Sequence, residues 1–241
     1  MTGLPDPAAG VFDTLLVQDG APVAPQAHLR RLAASVRDVY DDVLDQGSLL
    51  EEVSAAAASG PALQRVRVVF VAGAGASVEV RPLAARPRGP LRLVVHRMPG
   101  GWGCHKWRDR SLLEEWGDPD DPSMDLLLVD ENEHLLETGR GNVFVILDGA
   151  VVTPPLDGRI LPGLTREAVL GALAGLGLAG RVRPVTLGAL AIATEVFVTS
   201  SIGGVRPVAT CDVAGPWGTG PVTRAVDTAV ELAWGGTHDA P

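Results

Sequence analysis

The segment Met98-Pro99-Gly100-Gly101-Trp102-Gly103 constrains this chain more than any other. Three glycines and a proline in six residues interrupt both the two-residue period of a strand and the 3.6-residue period of a helix. A 241-residue chain broken there divides into two lobes, expected at 1–97 and 105–241 around a linker at 98–104.

Before the break, Val11 to Val17 reads as a strand and Asp19-Gly20 as a hairpin turn. Leu29, Leu32, Ala33, Val36 and Val39 recur at helical spacing between His28 and Tyr40. A second helix is expected from Ser48 to Ala57, closed by Ser59-Gly60-Pro61. Strands follow at Arg65 to Val71, Ser77 to Val80 and Leu91 to Val95. The first alternates arginine with valine before turning wholly apolar, as a strand entering a core does. Beyond the break, a short helix is expected at Arg110 to Trp116, then strands at Asp125 to Val129 and Asn142 to Leu147. A helix from Thr165 to about Ala174 precedes strands at Glu195 to Thr199 and Val205 to Ala209, and a final helix spans Val222 to Ala233. This mixture predicts an α/β (α+β) fold with a small N-terminal lobe, a larger C-terminal lobe and a site between them.

Composition narrows the function. The net charge of -9 argues against a general nucleic-acid binder. No apolar run approaches the roughly 20 residues that span a bilayer. Met1 to Gly10 lacks the basic start and apolar stretch of a secretory signal. Cys104 and Cys211 are too few for a disulfide framework, so a reducing, cytoplasmic setting is expected.

Lys106 is the only lysine; the other 19 of the 20 basic residues are arginines. Arginine cannot lose its proton, whereas lysine can, so a chain that retains one lysine points to a need for a neutral amine. Glu137 precedes the turn Gly139-Arg140-Gly141 and reads either as a surface carboxylate or as the partner of a buried cation. Leu161-Pro162-Gly163-Leu164-Thr165 makes a tight turn into a helix start, which is an ordinary cap or an anion site. Ser200-Ser201-Ile202-Gly203-Gly204 offers a second donor-rich loop with the same two readings. Arg31 could clamp a phosphate or simply be a solvated helix charge. An amine, a carboxylate and two anion loops, in that order, are the parts a pyridoxal phosphate enzyme needs.

Taken together from Val11 to Val208, these motifs resemble the fold-type IV pyridoxal phosphate enzymes. That family includes branched-chain and D-amino acid aminotransferases and 4-amino-4-deoxychorismate lyase. The resemblance implies a two-domain, D-amino acid aminotransferase-like fold, usually a homodimer. It implies pyridoxal 5'-phosphate as cofactor, Lys106 as Schiff-base lysine and Glu137 as partner of the ring nitrogen. Arg31, Leu164, Thr165 and Ser201 would bind the phosphate, with Asn142 beside them.

Three features resemble the lyase in particular. Thr14 stands where lyases often carry threonine, and its hydroxyl could assist proton transfer. Arg110 falls four residues after Lys106, and Ser111 occupies the place of a tyrosine in branched-chain aminotransferases. Asp109 and Trp107 depart from the lyase pattern, where asparagine and a small residue are usual. The short start before Val11 resembles lyase domains fused to a chorismate-aminating subunit. A dicarboxylate substrate calls for arginine, and Arg140, Arg206 and Arg108 are the candidates. Aminotransfer with branched-chain or D-amino acids is the competing reaction, and a non-catalytic relative is the third reading.

Overall fold

The computed structural model describes residues 4–118 and 120–235. Backbone contacts group them into two units, one of residues 4–86, 105–110 and 234–235, the other of 87–104, 111–118 and 120–233. The six residues around Lys106 therefore group with the first unit, although they follow the glycine-rich break in sequence.

In the first unit, β1 (Val11–Gln18) and β2 (Ala21–Pro22) form the hairpin that Asp19-Gly20 predicts. Asp19 and Gly20 both have positive φ, 53° and 78°, the geometry whose twist matches that of the flanking strands. β3 (Leu63–Val71) runs antiparallel to β1, and β4 (Gly75–Pro82) to β3, giving the order β2-β1-β3-β4. Helices α1 (Pro25–Tyr40) and α2 (Gln46–Ser59) contribute to the unit's core. There Val11, Leu15 and Val17 of β1 meet Leu29, Leu32 and Val36 of α1. Because strand side chains alternate, Phe12, Thr14 and Leu16 point to the opposite face of β1. The edge of β1 that β2 leaves uncovered is filled by residues 106–108. Phe12 N–H donates to Lys106 O (2.9 Å) and Arg108 N–H to Gly10 O (2.9 Å).

The second unit holds eight strands: β5 (Leu91–Arg97), β6 (Met124–Val129), β7 (Leu135–Thr138), β8 (Asn142–Leu147), β9 (Ala150–Thr153), β10 (Gly180–Val182), β11 (Glu195–Ser200) and β12 (Gly204–Cys211). Their order is β10-β9-β8-β11-β12-β5-β6-β7. This order cannot lie flat. β7 and β8 stand five positions apart, about 24 Å in a flat sheet at 4.8 Å per strand, yet only Gly139, Arg140 and Gly141 join them. Four extended residues reach about 14 Å at most. The sheet must curl, and its two ends meet: Leu135 N–H donates to Val185 O (2.7 Å) and Leu187 N–H to Glu133 O (2.7 Å), just past β10. Inside lies a core that includes Leu93, Leu127, Val143, Val145, Val152, Val196, Val198 and Val208. α3 (Ser111–Trp116), α4 (Leu164–Ala172) and α5 (Pro221–Gly235) up to residue 233 complete the unit.

β7, β9 and β10 have no counterpart among the strands read from the sequence. β7 and β9 are four residues each and β10 only three, too short for a period to register. α4 begins one residue earlier than expected and ends two earlier; α1 starts at Pro25, three residues before His28.

α5 is anchored by a strand residue. Glu195, buried at the start of β11, accepts bonds from Val222 N (3.1 Å), Thr223 N (2.7 Å) and Thr223 Oγ1 (2.6 Å). A carboxylate on these otherwise unbonded N–H groups caps the helix and complements its dipole. Glu195→Ala is expected to lower unfolding stability by about 2 kcal/mol, read as a reduced urea midpoint with unchanged m value.

Candidate functional site

Local strand geometry positions Lys106. Residues 105–107 run beside β1, so their side chains alternate. Trp107 packs against the core between β1 and α1, and His105 Nδ1 lies 3.1 Å from Ser35 Oγ on α1. Lys106 therefore turns to the other face, where its Nζ lies 5.1 Å from the centroid of the Phe12 ring. Thr14 shares that face. So does Arg67, the cross-strand neighbour of Thr14, whose Cζ stands 4.4 Å from the same ring. Sequence reasoning passed over Arg67, although its alternation with valine was legible. Among the described residues its buried Nε has no hydrogen-bond partner.

Arg31 is not a solvated helix charge. Its Nε donates to Asp13 Oδ2 (2.8 Å) and its Nη2 to Asp13 Oδ1 (2.7 Å). His28 Nδ1 lies 2.8 Å from the same Oδ1, and Asp13 and His28 are both buried. Burial alone would raise the Asp13 pKa, but the charges of Arg31 and His28 and their hydrogen bonds hold it far below the usual range. Burial lowers the His28 pKa against the pull of Asp13, and the charges of Arg31 and Lys106 lower it further. A neutral His28 must then carry its proton on Nδ1 to donate to the carboxylate. Neither Asp13 nor His28 stood out in the sequence; a carboxylate in an otherwise apolar strand was the available signal.

In the second unit, Glu137 lies in β7 and is 6% exposed, which rules out the surface reading. Its Oε2 accepts the N–H of Leu161 (3.2 Å), while Asn142 Nδ2 donates to Leu161 O (3.0 Å). Both residues thus grip the loop that leads into α4. Gly163 caps that helix without a side-chain bond, and a Cβ there would stand 1.9 Å from Asn142 Oδ1. At Gly141 a Cβ would stand 2.1 Å from Thr199 O, so this turn presses against the end of β11. The carboxylate strand, the α4 start with buried Thr165, and the Ser200–Gly203 turn bearing Ser201 are therefore neighbours.

The three candidate arginines differ. Arg206 is buried, with Nε and Nη2 donating to Gly89 O (3.1 and 2.9 Å) and Nη1 reaching Pro122 O (3.4 Å), so its guanidinium braces backbone. Arg140 is exposed at the turn after Glu137, and Arg108 is exposed beside Gly10. Asp109, the departure from the lyase pattern, accepts the N–H of Asp6 (2.9 Å).

These residues fit a phosphorylated pyridine aldehyde. The amine lies on an apolar ring, a carboxylate is buried, and the helix start has a glycine where a Cβ would intrude. Among the described residues, no group of His, Cys, Asp and Glu could hold a metal, and no helix is long and apolar enough to cross a membrane.

Residues 120–211 match the family model for amino-transferase class IV. A branched-chain-amino-acid aminotransferase of Escherichia coli K12 is 31% identical over 105 residues, 43% of this chain and 34% of that protein. The match thus spans about a third of that relative's length. A hypothetical aminotransferase of Mycobacterium tuberculosis in its pyridoxal phosphate-bound form aligns with TM-score 0.81 and 24% identity, covering 97% of this chain and 95% of that one. The 4-amino-4-deoxychorismate lyase of Pseudomonas aeruginosa aligns with TM-score 0.75 and 26% identity, covering 96% and 94%. The chain has the fold of the class IV, fold-type IV enzymes, its residues 120–211 match their family model, and pyridoxal phosphate is the cofactor of that family.

Gly163→Ala is expected to cost about 1–3 kcal/mol because its Cβ overlaps Asn142. If the overlap is the cause, a Gly163→Ala/Asn142→Ala double variant loses less than the sum of the single losses, measured by urea unfolding.

Proposed function

We propose that the protein is a pyridoxal phosphate-dependent 4-amino-4-deoxychorismate lyase, releasing pyruvate and 4-aminobenzoate. One observation carries the reading: Thr14 and Lys106 share a face of the first unit, separated along it by Phe12. A hydroxyl and an amine that can lose its proton are the two groups needed to take a proton from the substrate ring and pass it on. The cofactor, when bound, supplies an electron sink. In this reading Lys106 and Thr14 carry the proton transfer, and Arg31, Glu137, Asn142, Leu164, Thr165 and Ser201 bind the cofactor. Glu137 would hold the proton on the pyridine nitrogen, since a nearby carboxylate favours the charged ring. Arg31, the α4 start and Ser201 would hold the phosphate. Arg140 is the first choice for a substrate carboxylate and Arg108 the second; Arg206 would serve only by leaving its two carbonyl partners. A cytoplasmic homodimer belongs to the same reading.

Transamination of branched-chain or D-amino acids is the second reading, favoured by the name of the Escherichia coli relative. Incubation with aminodeoxychorismate is expected to release pyruvate and 4-aminobenzoate in equal amounts. Rapid amino exchange between an amino acid and 2-oxoglutarate, with no pyruvate released from aminodeoxychorismate, would overturn the lyase assignment. Lys106→Ala is expected to lower turnover on the order of 10³-fold and to abolish the covalent tag that borohydride leaves on the holoenzyme. A tag mapped to any other peptide would refute the role of Lys106.

A further inference from the structure

We propose that Asp13 is a positioning residue that aims Arg31 at the cofactor phosphate. The inference rests on the reading of Arg31 as a phosphate ligand and adds the means by which it is oriented. Asp13 sits on the core-facing side of β1, between Val11 and Leu15, where an apolar residue would pack without desolvating any charge. A buried carboxylate–guanidinium pair costs several kcal/mol of desolvation per ion, and apolar replacements of such pairs are often neutral or stabilising. Stability alone therefore gives no reason for placing it there.

The geometry supplies one. Asp13 engages the guanidinium through two adjacent donors, Nε and Nη2, in a bidentate fork. The fork fixes the plane of the group as well as its position. Arginine carries five N–H donors, so a carboxylate that takes one edge leaves the orientation of the others determined. The carboxylate is itself held: Oδ1 accepts from Thr14 N (2.7 Å) and from His28 Nδ1 (2.8 Å). His28, Arg31 and Ser35 lie along one line of α1 at helical spacing, the first two bonded to Asp13 and the third to His105, next to Lys106. A long flexible side chain is thus ordered before a ligand arrives, which removes an entropic cost from binding.

The test compares affinities for pyridoxal 5'-phosphate and for pyridoxal, which lacks the phosphate, by fluorescence titration of wild type, Asp13→Asn, Asp13→Glu and Arg31→Gln. Asp13→Asn is expected to weaken pyridoxal 5'-phosphate on the order of tenfold and to leave pyridoxal unchanged. Asp13→Glu keeps the charge and should recover part of the loss. If Asp13→Asn does not fold, Asp13→Glu carries the test with a smaller selective loss. Arg31→Gln should lose as much as Asp13→Asn or more, and the double variant no more than Arg31→Gln. A folded Asp13 variant with the wild-type ratio of the two affinities overturns the proposal, as does equal weakening of both ligands, which marks a merely structural role. If Arg31→Gln itself leaves the ratio unchanged, the phosphate reading of Arg31 fails instead.

Discussion

Closure of the second sheet sets the terms for everything in that unit. A three-residue link between β7 and β8 cannot bridge a flat sheet, so the strands must wrap until the two ends of the order bond to each other. Wrapping removes the exposed edges that a long sheet would offer to other chains. It also collects strand ends. The pairing of Thr199 with Asn142 and of Ser200 with Gly204 puts the end of β11, the start of β8 and the start of β12 at one rim. The turn after Glu137 closes over the same rim. The carboxylate strand and the Ser201 turn are brought together by backbone pairing, and the bonds of Glu137 and Asn142 to Leu161 hold the α4 start beside them.

The first unit solves a different problem, that of aiming long cationic side chains. It does so with a polar seam inside an apolar layer. His28, Arg31 and Ser35 would read as defects in the buried stripe of α1, yet each meets a partner, Asp13 or His105. Both acid-sensitive members of the seam act in one direction. Asp13 has a lowered pKa, so its stabilisation is complete above the unfolded carboxylate value and fades as pH falls below it. His28, held neutral, must take up a proton on unfolding below the ordinary histidine value, which again favours the unfolded state in acid. The seam is thus suited to neutral pH and is weakened by acid.

What the sequence disclosed follows from range. α1 and β1 were legible because a dozen or fewer residues carry a full period and a turn signal. β10 was not, since three exposed residues form a strand only by pairing with β9. Lys106 was legible through its solitude. That Glu137 is buried, that Arg206 bonds to backbone carbonyls and that Asp13 binds Arg31 depend on partners 18 to 117 residues away in sequence. Local pattern carries no record of such pairings. Identity of a residue type at a motif position is therefore a weaker guide than the list of groups its atoms already satisfy.

Lyase and aminotransferase differ in groups other than those that define the class. Both reactions use one amine, one carboxylate and one phosphate grip, so the residues that define the class are silent about the outcome. Discrimination must come from groups that meet the substrate rather than the cofactor. On the proposed reading the candidates in the first unit are the side chains on the Phe12 face of β1 and β3, where Thr14 and Arg67 are neighbours and Lys106 reaches the same ring. A branched-chain substrate would need that face to be apolar, because a guanidinium facing an aliphatic side chain loses hydration without compensation. A dianionic substrate turns the same desolvated guanidinium into an asset. The cations on this face thus disfavour an aliphatic side chain there and favour a dianion, whether aminodeoxychorismate or the 2-oxoglutarate of the competing reaction.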